Sequence, residues 1–371
     1  MKDKNIAIID ADLLGRKKHR FPNLACMKIS GYWKDNDTNV TLKMDYDNLE
    51  IYDKVYISKV FTDTTVPEEV LQESNVEYGG TGFFFDKAPN LPDEIEHHMP
   101  DYHLYDEFVQ RKIDEGFKKT EFKEYLNYSI GFLTRGCFRK CAFCVNQKYD
   151  RVFCHSPLEE FYDPSRKKIC LLDDNFLGQP NWKTMLEELI DTGKQFKFKQ
   201  GLDERLLTDE KCEILFNCKY DSDIMFAFDK IKDYDLIHEK LKMIRRHTDK
   251  QCVFYVLCAF DESGKYDEDF WRQDIIDVFR RIDLLIQYKC IPYIMRFEKY
   301  NESPYRGMYI TLARWCNQPS MFKKNSILTY SRDVKSNGIK SSAYRYIMDF
   351  KDKHPDVAEK YYDLSWFTYN S

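Results

Sequence analysis

Apolar residues in this chain fall into short continuous runs separated by amphipathic stretches. This is the pattern of strands alternating with helices in a parallel sheet. NIAIID (residues 5–10) predicts a first buried strand. A polar loop spans 15–20. Phe21-Pro22 then opens a predicted helix, since proline suits a first helical position. Leu24, Met27 and Ile29 with Tyr32 and Trp33 give that helix a stripe ending near Lys34. Residues 52–61 predict a second strand, 66–74 a helix, and 76–83 a short strand running into the turn at Gly79-Gly80.

Residues 89–108 form a connector rich in proline, acids and histidine, and periodicity returns only at FVQRKIDEGF. The boundary is placed near residue 120. Beyond it six strands are predicted, at 128–134, 168–174, 196–203, 223–229, 251–260 and 290–298. Helices are predicted at 182–194, 208–219, 234–248 and 268–289. Six βα units fit a partial or full parallel barrel. The fold class expected is α/β, with a Rossmann-like domain at 1–120, a partial (βα)6 barrel at 121–300 and a helix-rich C-terminal extension at 301–371.

Composition adds limits. A chain of 371 residues suggests two or three units. Hydrophobic residues at 43% and charged residues at 32% suffice for an ordinary core. A net charge of -5 gives no argument for a nucleic-acid or membrane partner. No apolar run is long enough to span a bilayer, and the N-terminal apolar stretch, broken by Asp10 and Asp12, does not read as a signal peptide. A cytoplasmic location is expected. The twelve cysteines, mostly at irregular spacing, fit a reducing compartment.

One spacing stands out. LTRGCFRKCAFCVNQ (133–147) carries Cys137, Cys141 and Cys144 as C-x3-C-x2-C, directly after a predicted strand. Three thiolates within eight residues can wrap one face of a cubane cluster. Such clusters ordinarily take four cysteines, and no fourth lies at a comparable spacing, so one iron is left open, and an open iron can chelate the amino and carboxylate groups of S-adenosylmethionine (SAM). The alternative is a zinc site in a binding module, which needs a fourth ligand. Cys154 and His155 are the nearest candidates.

On this motif, its strand and the strands that follow, residues 125–300 resemble the radical SAM superfamily. The resemblance implies a 4Fe-4S cluster on Cys137, Cys141 and Cys144. It also implies SAM as cofactor, reductive cleavage to a 5′-deoxyadenosyl radical, hydrogen abstraction from a substrate, and an electron donor such as flavodoxin or ferredoxin. It further implies cofactor-binding roles. Phe143 resembles the aromatic whose backbone faces adenine. Asp173, Asp174 and Asn175 stand where members bind the SAM amino group, in place of the common Gly-Gly-Glu. Asp203, Glu204 and Arg205 follow the third strand, where the SAM carboxylate or the substrate is met. Asp229 ends the fourth strand near the ribose, and Phe260 and Asp261 end the fifth near the adenine pocket. Arg296 and Glu298 point from the sixth, to a structural pair or to substrate.

The first 120 residues resemble the cobalamin-binding-like domain that precedes many such cores, in degenerate form. The opening strand, FPNLACMKISGYWK, Gly79-Gly80 and PDYHLY (100–105) carry that resemblance. The D-x-H-x-x-G that supplies a histidine to cobalt is absent, and His19 is the only histidine before residue 97. Cobalamin is therefore admitted but disfavoured. The loop Arg16-Lys17-Lys18-His19-Arg20 reads as a solvated loop in preference to an anion site, although it follows the first strand, where α/β sheets bind ligands. Cys316 is either a hydrogen-atom donor at the active site or a small buried residue beside Trp315. The pairs Cys212/Cys218 and Cys252/Cys258 read as core, and a single cluster is expected. The intact cysteine motif argues against a non-catalytic scaffold of the same fold. The reaction after hydrogen abstraction (methylation, epimerisation, crosslinking or rearrangement) and the substrate, a peptide or nucleotide derivative in size, stay open.

Overall fold

The computed structural model describes residues 4–336 and 339–369. It divides into two compact units, Met1–Lys199 and Gln200–Ser371.

The first unit begins with β1 (Asn5–Asp10), α1 (Ala11–Gly15), α2 (Leu24–Asp35), β2 (Asn39–Leu42), β3 (Lys54–Ser58) and β4 (Val76–Gly79). The four strands form one sheet in the order β2-β1-β3-β4, and every pairing is parallel. β1 is central. Ile6 and Ile8 enter one core with Met27 and Ile29 of α2, while Ala7 and Ile9 enter another with Val55 and Ile57 of β3. Burial on both faces is why the run is continuous rather than alternating. The Asn23 side chain caps α2 by accepting from the Cys26 N–H at 3.2 Å, so the helix starts at Leu24, after Phe21-Pro22.

Two expectations fail here. β2 has no counterpart in the sequence reading, because its four residues on a half-exposed edge carry too little apolar pattern. The helix expected at 66–74 is only a single 3₁₀ turn, Val70–Gln72. One fully buried anchor, Val70, holds that turn, and a helix so short has too few bonds to offset its nucleation. Asn75 draws the chain into β4 instead, donating to the carbonyls of Leu49 and Tyr52, each at 2.9 Å.

The segment between β4 and the next strand holds α3 (Thr81–Phe84), α4 (Asp93–Glu96), α5 (Asp106–Asp114) and α6 (Lys123–Asn127). Two of its tyrosines lock it in place. The Tyr105 hydroxyl donates to the buried Asp10 carboxylate at 2.9 Å and accepts the Asn23 N–H at 3.1 Å. The Tyr102 hydroxyl donates to the Phe161 carbonyl at 2.6 Å and accepts the Ile130 N–H at 2.8 Å. Then come β5 (Tyr128–Gly131), β6 (Thr134–Arg135), β7 (Phe153–Cys154), β8 (Lys168–Leu171), α7 (Trp182–Asp191) and β9 (Gln195–Phe198). β5, β8 and β9 form a parallel sheet in that order, and β6 and β7 form a short antiparallel ladder.

The second unit holds α8 (Asp209–Asn217), β10 (Ile224–Ala227), α9 (Tyr234–His247), β11 (Cys252–Cys258), α10 (Glu268–Gln287) and β12 (Cys290–Arg296). Its three strands pair in parallel in the order β10-β11-β12. Leu202 makes a parallel bridge to Phe226 of β10. α11 (Arg306–Cys316) packs on β12. All six strands and four helices predicted beyond residue 120 are present, with shorter ends. No described helix is long and apolar enough to cross a membrane.

Candidate active site around the cysteine loop

The cysteine loop runs between β6 and β7, whose ladder pairs Thr134 with Cys154 and Arg135 with Phe153 and so closes its base. Gly136, immediately before Cys137, has φ +88°, and a Cβ there would stand 2.3 Å from the Arg151 carbonyl oxygen. Only glycine fits. Further along, the Cys144 N–H donates to the Cys141 carbonyl at 2.9 Å, making the turn that contains half-buried Phe143. Lys140 reaches the Gln147 carbonyl at 2.6 Å, and the Gln147 amide returns to the carbonyls of Ala142 and Cys141.

The sulfurs act as acceptors. Cys137 Sγ receives the Arg139 N–H and the Asn175 side-chain amide, each at 3.4 Å, and Cys144 Sγ receives the Asn146 N–H at 3.4 Å. Donors aimed at sulfur suit thiolates and are one of the levers that set an iron–sulfur potential. Burial pushes the Cys144 thiol above its ordinary value, with smaller contributions from Cys141 and Cys137 in the same direction and the Asn146 N–H opposing them. Three thiols in one strapped loop, with main-chain N–H groups on two of them, fit a cluster ligand set.

Among the described residues, no three His, Cys, Asp or Glu side chains converge on one ion, and a zinc site would need a fourth ligand beside the three thiols. The two proposed fourth ligands are engaged elsewhere. Exposed Cys154 accepts from the Gln179 amide at 3.5 Å, and His155 lies 3.3 Å from Glu96 and 3.0 Å from the Ser156 hydroxyl.

The three polar residues after β8 have a role not foreseen in the sequence. Asp173 is buried, and its carboxylate accepts from the Leu133 N–H at 3.2 Å, the Thr134 N–H at 2.7 Å and the Thr134 hydroxyl at 2.6 Å. Burial pushes its carboxyl up to about 7 against these bonds. Asp174 accepts from the Gly136 N–H at 2.7 Å and from the Asn146 side-chain amide at 2.7 Å. It thus grips the cysteine loop at both ends. Together with the Asn175 bond to Cys137, all three residues are turned to holding the loop.

In the second unit, Arg205 Nε donates to Asp203 at 2.7 Å, and its Nη1 reaches Asp233 at 3.2 Å. Glu204 is 1% exposed and accepts the Ala227 N–H at 3.1 Å. Burial, then the charge of Asp203, pushes its carboxyl up to about 8. This raised folded-state pKa contributes stability that is fully present below about 4.5, the ordinary carboxyl value, and is lost as the pH rises through about 8. The stability of Glu204→Gln relative to wild type should therefore rise with pH over that window, by at most about 1.4 kcal/mol per pH unit. Denaturant titrations at pH 5, 6.5 and 8 check this, and a difference independent of pH would refute it.

Asp229 accepts the Leu257 N–H at 3.2 Å, and burial raises its carboxyl, opposed by Arg281. Arg281, absent from the sequence reading, is 2% exposed. Its Nη1 donates to the carbonyls of Phe228, Asp229 and Leu257 at 2.8–3.0 Å. It caps the C-terminal ends of β10 and β11, where Asp229 sits. Phe260 packs edge-on to Phe297, Asp261 binds the Lys265 N–H in a surface turn, and exposed Arg296 lies over the Tyr300 ring. Glu298 opens a 3₁₀ turn. Cys316 is fully buried under α11, and burial, with Cys258 nearby, drives its thiol well above its ordinary value. The surroundings of Cys316 are those of a packed core residue.

The cobalamin expectation meets its own test at the β1/β3 switch point. There Asp10, Asn23, Ser58 and Tyr105 fill the crevice with their own hydrogen bonds. Asp12 clamps the following loop by accepting from the N–H groups of Val60 and Phe61 and the Thr64 hydroxyl. His19 packs on Phe61. These residues do not fit a cobalamin tail inserted between the strands. In the basic loop Lys17 and Lys18 are exposed, while the two arginines are engaged within the chain. Arg16 pairs with Asp63 at 2.5 Å, and Arg20 donates to the carbonyls of Lys17 and His19.

No protein-family model matches the chain, and no curated protein matches it in sequence. Two solved structures match, both of the cobalamin-dependent S-adenosylmethionine radical enzyme OxsB. The form with aqua-cobalamin and S-adenosylmethionine bound shares 13% identity at a TM-score of 0.35, over 97% of this chain and 56% of that one. The apo, selenomethionine-labelled form shares 14% at 0.35, over 99% and 57%. This chain spans a little over half the length of OxsB, and a TM-score of 0.35 does not establish a common fold.

Proposed function

We propose that the chain is a radical SAM enzyme, with Cys137, Cys141 and Cys144 as the ligands of a 4Fe-4S cluster. The observation that carries this reading is the cysteine loop itself. Three thiols in C-x3-C-x2-C spacing follow the first strand of a parallel sheet, and two of them accept main-chain N–H bonds. When bound, the cluster supplies the electron that splits SAM into methionine and a 5′-deoxyadenosyl radical. The chain's residues do the positioning. Asp173 fixes the entry to the loop, Asp174 closes it, and Asn175 holds the Cys137 sulfur. In this reading Phe143 contacts SAM beside the cysteine loop. An external reductase such as flavodoxin or ferredoxin supplies electrons, and the cytoplasm is the expected location.

The test is anaerobic purification and reconstitution, followed by iron and sulfide analysis and incubation with SAM and dithionite. About four irons per chain, as a cubane requires, together with 5′-deoxyadenosine formation, is the expected result. Zinc in place of iron, or no cluster under strict anaerobiosis, sinks the proposal.

A further inference from the structure

Beside the cysteine loop, and wholly within the first unit, lies a cavity of about 570 Å³. This is within the range of small-molecule sites, roughly 300–1,000 Å³. Its walls are α2, the C-terminal parts of β3 and β4, the 85–96 segment and, at one end, Phe132, Arg135, Val145 and Asn146. That end is the cysteine loop, since Arg135 stands two residues before Cys137 and Asn146 two after Cys144.

Two features of the lining point to a ligand. The first is aromatic. Trp33, Tyr56, Tyr78 and Phe85 face the space from four different elements, and the Trp33 indole donates to the Tyr56 hydroxyl at 3.2 Å, which fixes both rings. Fixed rings around an open volume present faces to a flat partner at little entropic cost. The second is a guanidinium short of partners. Arg135 stacks on the Phe132 ring at 4.1 Å. Its Nε is buried and makes no hydrogen bond. The Asp174 carboxylate is 3.9 Å away and already bound to Gly136 and Asn146. Buried polar groups are normally paired, and arginine pairs best with a carboxylate or phosphate. Lys28 lies on the same wall, 3.1 Å from Glu96. Burial is the main cause holding its ammonium below its ordinary value, and Arg135 acts in the same direction, so the two cations feel one another.

We propose that this cavity takes a flat aromatic or heteroaromatic molecule bearing one carboxylate or phosphate. Its ring lies among Trp33, Tyr56 and Tyr78, and its anion meets Arg135 at the cysteine loop. In calling this molecule the substrate, the proposal rests on the radical SAM reading; binding itself does not.

Isothermal titration of the full chain, without cluster, uses two acids and their neutral counterparts: uridine 5′-monophosphate against uridine, and indole-3-acetate against indole-3-acetamide. At least one acid should bind ten times more tightly than its counterpart, and which acid does so tells phosphate from carboxylate. Arg135→Gln should remove about tenfold of that affinity, the scale of a charge-assisted bond. Tyr78→Ala, at a ring 39% exposed at the rim, should weaken both members of the pair without unfolding the chain. The proposal is overturned if neither acid binds at millimolar concentration, if acid and neutral partner bind equally, if Arg135→Gln and Tyr78→Ala leave binding unchanged, or if SAM displaces the acid. Iron content and 5′-deoxyadenosine judge the cluster reading separately, so either can fail alone.

Discussion

Anaerobically reconstituted Cys137→Ala protein should retain essentially no stable cluster, and Asp174→Ala should lose iron to a chelator at least tenfold faster than wild type. The first follows from the donor set. With two thiolates left in the loop, a cubane has half the four cysteine ligands it ordinarily takes, and Cys154 points into its own bond with Gln179. The second follows from the carboxylate that closes the loop. Asp174 accepts one bond from the residue before Cys137 and one from the second residue after Cys144, each at 2.7 Å. Alanine leaves the Gly136 N–H and the Asn146 amide without their acceptor and frees both ends of the segment that must hold the three sulfurs in place. Groups that orient metal ligands without touching the metal typically cost 10–100-fold in affinity when removed. Asp174→Asn separates charge from geometry, since its one carbonyl oxygen replaces only half of the carboxylate's bonding; its loss rate should fall between the two. Iron release to a coloured chelator gives the rates, and a circular dichroism melt shows whether the chain is still folded. Wild-type iron retention in folded Asp174→Ala would show that the loop holds without its clasp.

Arg281→Met should lower the melting temperature by about 10 °C. Arg281 is buried, and one of its nitrogens serves the carbonyls of Phe228, Asp229 and Leu257, while Nε reaches Asp277. Methionine fills much of the volume but leaves these carbonyls unpaired. It also removes the cation that opposes the burial-raised carboxyls of Asp229 and Asp274. Breaking a buried charge network from one side costs about 3–5 kcal/mol, and in a body of this size each kcal/mol shifts the midpoint by about 2–4 °C. Because a carboxyl losing its cation is driven further toward its protonated form, the deficit should shrink at low pH. Melts at pH 5 and 7.5 check both statements. A shift under about 3 °C, below what 1 kcal/mol produces, would mean that the three carbonyls find water instead.

The cysteine loop was legible because its signal is local: a strand-length apolar run and thiols at fixed spacing. The residues around it were legible as polar but not as parts. Asp173, Asp174 and Asn175 stood out after the second strand of the series, yet nothing in their order says that they face Thr134, Gly136, Asn146 and Cys137, 28–39 residues away. Arg281 lies within a strongly periodic helix, where an arginine reads as a surface charge. Only the strand ends folded above it, at residues 228, 229 and 257, make it a buried cap.

The sequence by itself determined the order and type of six strands and four helices between residues 120 and 300, since period-2 and period-3.6 burial are written into neighbouring residues; the short β6–β7 ladder carried no such signal. It also determined the three thiols and their spacing. What only the tertiary structure decided is everything that depends on contacts across long stretches of chain. Examples are the collapse of 66–74 to a single turn once Asn75 is tied to residues 49 and 52, the locking of Tyr102 and Tyr105 onto β5 and β1, and the burial of Cys316 in a core. The cavity that leaves Arg135 short of a partner belongs with them. Such pairings carry no period and no fixed spacing. They follow from closure of the chain, which sets which polar groups meet and which are left facing an open space.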